Sequence, residues 1–245
     1  MPTKILVNSD LGEALGIRTF GNDEALMPVI DLANVACGFH SGDPDAMAAT
    51  VASAVAHGVR IGAHPGLPDV VGFGRRAMAL TPAELRHLLV YQVGALAGFA
   101  ALADASLYHL KPHGALYSML AQDEALMTET ARVAKDFGLV VLGTPGTLHQ
   151  SVCERTGVEF VGELYVDLDY DDDGRVVVRR QPGPRSLDDV RTRVRTALDE
   201  GVVVSVNDRR IPVDFGSVCV HSDSREAPDV AETVVATLRE AGRLS

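Results

Sequence analysis

Four apolar runs in this chain each finish on a histidine followed by turn-forming residues, and this recurrence constrains the fold more than any other feature. They are Ala33–Asp43 (ANVACGFHSGD), Arg60–Gly66 (RIGAHPG), Tyr108–Gly114 (YHLKPHG) and Ser217–Asp223 (SVCVHSD). A short continuous apolar run bounded by Gly, Ser or Pro and leading into a helical pattern reads as a parallel strand buried on both faces. In α/β folds, ligands bind at the C-terminal ends of such strands. His40, His64, His113 and His221 are therefore expected to share one site.

The rest of the chain keeps the same rhythm. Strand Lys4–Val7 leads into Asn8-Ser9-Asp10-Leu11-Gly12-Glu13, which sets two carboxylates three residues apart beyond a buried strand. Asn22 is a candidate N-cap. A helix over 44–57 stops at Gly58, with Met47, Val51, Ala54 and Val55 on one face. Strand Val59–Ala63 precedes the loop Leu67–Arg76, where Arg75 and Arg76 are either a solvated pair or a clamp for an anionic group. Thr81-Pro82-Ala83-Glu84 is a capping box that opens the longest helix, to about Ala103. Strand Leu107–Leu110 ends in Lys111, a costly residue there unless its ammonium meets a carboxylate or a ligand.

Further on, the pattern predicts a helix over 123–137 and strands over 139–142 and 159–161. It then breaks at Asp171-Asp172-Asp173-Gly174, a hairpin turn without the ligand pattern of a calcium loop. A helix near Ser186, a hairpin over 202–213 turning at Asn207-Asp208, a strand over 218–220 and a helix over 228–241 complete the chain. Seven strand–helix units without a linker imply an α/β fold in which residues 1–245 form a single domain, a barrel or near-closed sheet. An open doubly wound sheet is the alternative.

At 245 residues and 47% hydrophobic content, the chain is long and apolar enough for a barrel of this kind. Its net charge of −11 argues against nucleic acid or an anionic membrane as a partner. The N-terminus lacks a basic segment ahead of an apolar core, and no run approaches ~18 apolar residues, so a cytoplasmic location is expected. Cys37, Cys153 and Cys219 are widely spaced in apolar runs, as buried reduced thiols are.

The candidate site comprises Asp10, Glu13, His40, Asp43, His64, Lys111, His113 and His221, with Arg75, Arg76 and Arg180 delivered by loops. No serine stands in G-x-S-x-G and no cysteine has the context of a thiolate nucleophile. Acid–base work on a bound water remains, with cations holding an anionic or carbonyl-bearing substrate. A divalent metal on Asp and His ligands is the rival account, and spacing does not decide between them.

NSDLGE, ANVACGFHSGD, IGAHPGLPDVVGFGRR, KPHGALYS and RRQPG together resemble, in order and over essentially the whole chain, the signature blocks of the LamB/YcsF family. The resemblance implies a seven-stranded β/α barrel of the glycoside hydrolase/deacetylase type. It implies one component of a prokaryotic 5-oxoprolinase that uses ATP to open the lactam 5-oxoproline to L-glutamate together with partner subunits B and C. On the family motifs, Asp10, Glu13, His40, His64, Lys111 and His113 are the expected catalytic residues. Asp43, Arg75, Arg76, Arg180 and His221 are expected to bind substrate. The chain departs from the family pattern at Ser9, at Leu168 in place of an arginine, and at Ser222. These departures leave open another lactam or cyclic amide, a binding module without turnover, and a metal-dependent amidohydrolase.

Overall fold

The computed structural model describes residues 4–177 and 185–244. The barrel strands are β1 (Leu6–Leu11), β2 (Leu32–Ala36), β3 (Arg60–His64), β4 (Leu107–Leu110), β5 (Val140–Gly143), β6 (Phe160–Tyr165) and β11 (Ser217–His221). All pair in parallel, and the sheet closes in the order β1-β11-β6-β5-β4-β3-β2. Closure decides for the barrel over the open sheet. Between β6 and β11 lie two antiparallel hairpins, β7 (Asp169–Tyr170) with β8 (Val176–Val177) and β9 (Val202–Val204) with β10 (Arg210–Pro212).

The helices are α1 (Asp23–Leu26), α2 (Pro44–His57), α3 (Pro82–Leu102), α4 (Gly114–Leu120), α5 (Glu124–Phe137), α6 (Leu148–Thr156), α7 (Leu187–Glu200) and α8 (Ala227–Glu240). Their boundaries follow local chemistry. Asp43, Thr81, Asp123 and Ser186 cap the starts of α2, α3, α5 and α7 with side-chain oxygens. Gly58, Gly138 and Gly201 end α2, α5 and α7 in the left-handed conformation. By length and composition α3 is apolar enough to cross a membrane. In this fold it buries Leu85, Leu89, Val93 and Leu96 in the core and packs beside α5.

The structure corrects five expectations. β1 covers Leu6–Leu11 in place of the expected Lys4–Val7, so Asp10 lies within the strand and not beyond it. β6 runs to Tyr165, beyond the expected end at Val161, and so carries Glu163 and Tyr165 to the site. α4 follows His113 directly, a helix that the sequence pattern does not announce. Asn22 does not cap; its amide donates to the Ser222 and Ser224 carbonyls and ties β1's loop to β11's. Val55 is 45% exposed, off the buried face of α2.

Alternate residues of each strand face the barrel interior. On β1 these are Leu6, Asn8 and Asp10, in ascending order. Leu6 joins Leu32, Tyr108, Val140, Leu142 and Val161 in an apolar floor. Polar side chains fill the space above. The register sets Asp10 opposite His221 of β11 and Asn34 of β2, so the upper layer meets at the C-terminal mouth.

Candidate active site

Asp10 stands at the centre of that mouth. Its Oδ1 accepts from Lys111 Nζ and from Asn34 Nδ2, each at 2.7 Å. Its Oδ2 lies 3.3 Å from His64 Nε2 and 3.6 Å from His221 Nε2. Burial would raise this carboxyl, but His64, Lys111 and His221 outweigh it and hold Asp10 well below the usual range. Asp10 is therefore ionised and fixed in position.

Lys111 is engaged on every side. Besides Asp10, Nζ donates to Asn8 Oδ1 at 3.3 Å, and it lies 2.9 Å from Cys219 Sγ and 3.6 Å from Glu163 Oε1. Burial would lower its pKa, yet Asp10, Cys219 and Glu163 raise it well above normal. Lys111 is thus a buried cation that keeps Asp10 charged, and it lines the same cavity as Asp10. Glu163 Oε2 in turn accepts from the Tyr165 hydroxyl at 2.9 Å and the Tyr117 hydroxyl at 3.4 Å.

Beneath Asp10 a polar chain crosses the barrel. His109 Nε2 donates to Asn34 Oδ1 at 2.6 Å, Asn34 Nδ2 donates to Asn8 Oδ1 at 2.8 Å, and Asn8 Nδ2 donates to Ser217 Oγ at 2.7 Å. Burial holds the His109 imidazole neutral, down at about 3. Sequence reasoning misses Asn8, Asn34, His109, Glu163 and Asp167. Period two is the signal that could find two of them, since Asn8 lies two residues before Asp10 and His109 two before Lys111.

His40, His64 and His113 converge beside Asp10 with Glu13, all buried. His64 Nε2 lies 3.0 Å from His113 Nδ1, and Glu13 Oε1 is 3.2 Å from His40 Nε2 and 3.5 Å from His113 Nδ1. Burial lowers both His40 and His113 well below normal, with His64 adding to it in each case. Burial, Asp10 and Asp223 push Glu13 well above normal. Glu13, His40, His64 and His113 offer donor atoms within 4.8 Å of one another, a set suited to a divalent metal.

His221 closes the other side. Asp167 accepts from its ring Nδ1 at 3.0 Å and from its backbone N–H at 2.8 Å, leaving Nε2 toward Asp10. Burial would lower this histidine, but Asp167 and Asp10 lift it to about 8. At 17% side-chain exposure it reaches the cavity. That cavity holds about 30 Å³ and is lined by Asp10, His64, Arg75, His113, Leu168 and His221 among others. Arg75 lines its mouth, joined to Asp223 at 2.7 Å.

The other expected residues lie elsewhere. Both Asp43 oxygens are occupied, one capping α2 at Ala46 N and one accepting from Gly16 N. Arg76 pairs with Asp69 within its own loop, half exposed. Neither is brought to the cavity. Arg180 lies outside the described residues.

The family model described as LamB/YcsF family matches residues 5–244. The chain belongs to the LamB/YcsF family. A relative from Tolumonas auensis, named as a 5-oxoprolinase subunit, is 43% identical over 240 residues, covering 96% of each chain. A lactam utilization protein from Emericella nidulans is 43% identical over 94% of this chain and 92% of its own. A solved lactam utilization protein from Thermus thermophilus superposes with a TM-score of 0.89 at 35% identity, covering 98% of both chains. A family 4 carbohydrate esterase from Streptomyces lividans, at 13% identity and a TM-score of 0.51, shares the fold alone.

Proposed function

We propose that this LamB/YcsF chain is one component of an ATP-dependent 5-oxoprolinase that opens 5-oxoproline (pyroglutamate) to L-glutamate together with subunits B and C. Its relatives' names support the activity. The observation that carries the reading is Asp10, held ionised by Lys111 at the wall of a cavity that His221 also reaches.

Opening a lactam adds water to the carbonyl carbon, breaks the C–N bond and delivers a proton to the nitrogen. The five-membered amide is unstrained, so ATP hydrolysis supplies the driving force. In this reading Asp10 orients the water and stabilises positive charge that develops beside it. His221, oriented by Asp167 and poised near the working pH, moves the proton to the departing nitrogen. Arg75 is the cation for the substrate carboxylate. Arg75 lines the cavity and is joined there to Asp223.

No phosphate-binding G-x-x-x-x-G-K-[ST] motif stands in the sequence, so the partner subunits supply most nucleotide contacts in this reading. With ATP as co-substrate, the reaction is cytoplasmic. Leu168 lines the cavity where the family pattern has an arginine, which makes the choice of lactam the property to measure first. The test is a panel of lactams, cyclic imides and cyclic ureas, offered with ATP to the chain alone and with subunits B and C. ATP hydrolysis is expected only in the complete complex and most strongly with 5-oxoproline. ATP hydrolysis indifferent to every lactam would overturn the reading.

A further inference from the structure

Two backbone carbonyls fix the tautomers of His64 and His113. A carbonyl only accepts, so His64 carries a proton on Nδ1, donated to the Lys111 carbonyl at 2.7 Å. His113 likewise carries one on Nε2, donated to the Phe73 carbonyl at 2.8 Å. With those protons pointing outward, His64 Nε2 and His113 Nδ1 are the ring nitrogens that face each other, at 3.0 Å. Two ring nitrogens so placed are held together by a shared proton or by a metal ion in front of both. The buried Glu13 side chain brings an oxygen to 3.5 Å from His113 Nδ1.

Ring orientation decides which groups ligate. A metal lies in the plane of the imidazole that binds it. His64 stands at 90° to His113, so one point can lie in both planes. His40 stacks on His113 with centroids 3.7 Å apart and planes 5° apart, so no single ion lies in both of those planes. Glycine keeps that stack in place: a Cβ on Gly74 would come within 2.7 Å of His40 Cβ and 2.9 Å of His113 Cδ2.

We propose that His64 Nε2, His113 Nδ1 and a Glu13 oxygen form a site for one divalent transition metal, with His40 as its wall. Two imidazoles and one carboxylate suit zinc, cobalt, manganese or iron and leave coordination positions open. Imidazole N–H groups anchored on carbonyls are the usual outer support of such ligands. Asp10 Oδ2, 3.3 Å from His64 Nε2, stands beside the site, where a bound ion would polarise a substrate carbonyl. That role rests on the lactam-opening reading; the binding does not.

The experiment therefore reads binding without turnover. Chelator-treated full-length chain is titrated with cobalt(II) chloride and followed by visible absorption. In parallel, ¹⁵N-histidine NMR is recorded with and without zinc chloride. One equivalent of cobalt per chain is expected, with d–d bands that disappear in His64→Asn and His113→Asn and persist in His40→Phe, which keeps the stacked ring. In the wild-type chain zinc should shift His64 Nε2 and His113 Nδ1 and leave their protonated partners in place, a result independent of whether the variants fold. Histidine spectra unchanged by zinc, with a proton on His64 Nε2, would overturn the proposal, as would cobalt bands retained in His64→Asn.

Discussion

Lys111 and Asp10 depend on each other. Both are buried, and Lys111 is also the neighbouring cation of Glu163. Lys111→Met would strand two carboxylates in the barrel, and a loss of about 3–5 kcal/mol is expected in chemical denaturation. Gly62 is a second sensitive residue, because a Cβ there would fall inside the His109 imidazole. Gly62→Ala should displace His109 from Asn34 and cost roughly 1–3 kcal/mol by overpacking, measured by thermal melting. His221 gives a pH signature. The charged and titratable groups facing it are Asp167 from the β6 loop, Asp10 from β1, Lys111 from the end of β4 and the stacked Tyr165. Its pKa rises from 6.5 to about 8 on folding, so its stabilisation is complete below 6.5 and is lost as pH rises through about 8. The shift corresponds to about 2 kcal/mol, and the fall in stability over that window should be absent in His221→Gln. The sequence shows the strand-end ionisable residues because polarity interrupts apolar runs there. Asn8, Asn34 and Glu163 escape notice because one polar residue inside a strand is compatible with an outward position until barrel closure turns it inward.

The loop from Pro65 to Arg76 is the element that shapes the histidine cluster. Gln92, buried on α3, binds it from behind: its Oε1 accepts from Gly66 N at 2.9 Å and its Nε2 donates to Gly66 O at 3.0 Å. Asp69 braces the far end through Gly72 N and Arg76. Gln92→Leu should leave the Gly66 N–H and C=O buried and unpaired, at about 1–3 kcal/mol each, and loosen His40. Hydrogen exchange at the Gly66 amide would report it, and unchanged protection would count against this brace. In sequence Gln92 passes as one position of an amphipathic helix, because its partner lies 26 residues away. Helix α4 is hidden for another reason: it begins at Gly114, ordinarily a stop signal, at φ +54°. The strands, the capping box at Thr81 and the glycine stops are legible because their chemistry is local.

Barrel closure brings β1 beside β11, residues more than two hundred positions apart, and so builds the site from both ends of the chain. Seven strand–helix units and repeated histidine endings announce that closure in the sequence; the side-chain pairing inside the barrel does not follow from them. As part of a larger enzyme, the isolated chain should bind ATP weakly. Isothermal titration with and without 5-oxoproline checks this, and tight lactam-independent binding would contradict it. The most direct measurement is lactam-dependent ATP hydrolysis by the complex assembled with Asp10→Asn chain. Glu163 remains beside Lys111 in that variant, so the chain should still fold, with a lower melting temperature than the wild type. Turnover with 5-oxoproline should fall by about 10²-fold or more. A folded Asp10→Asn chain that sustains wild-type turnover would contradict the assignment of this site.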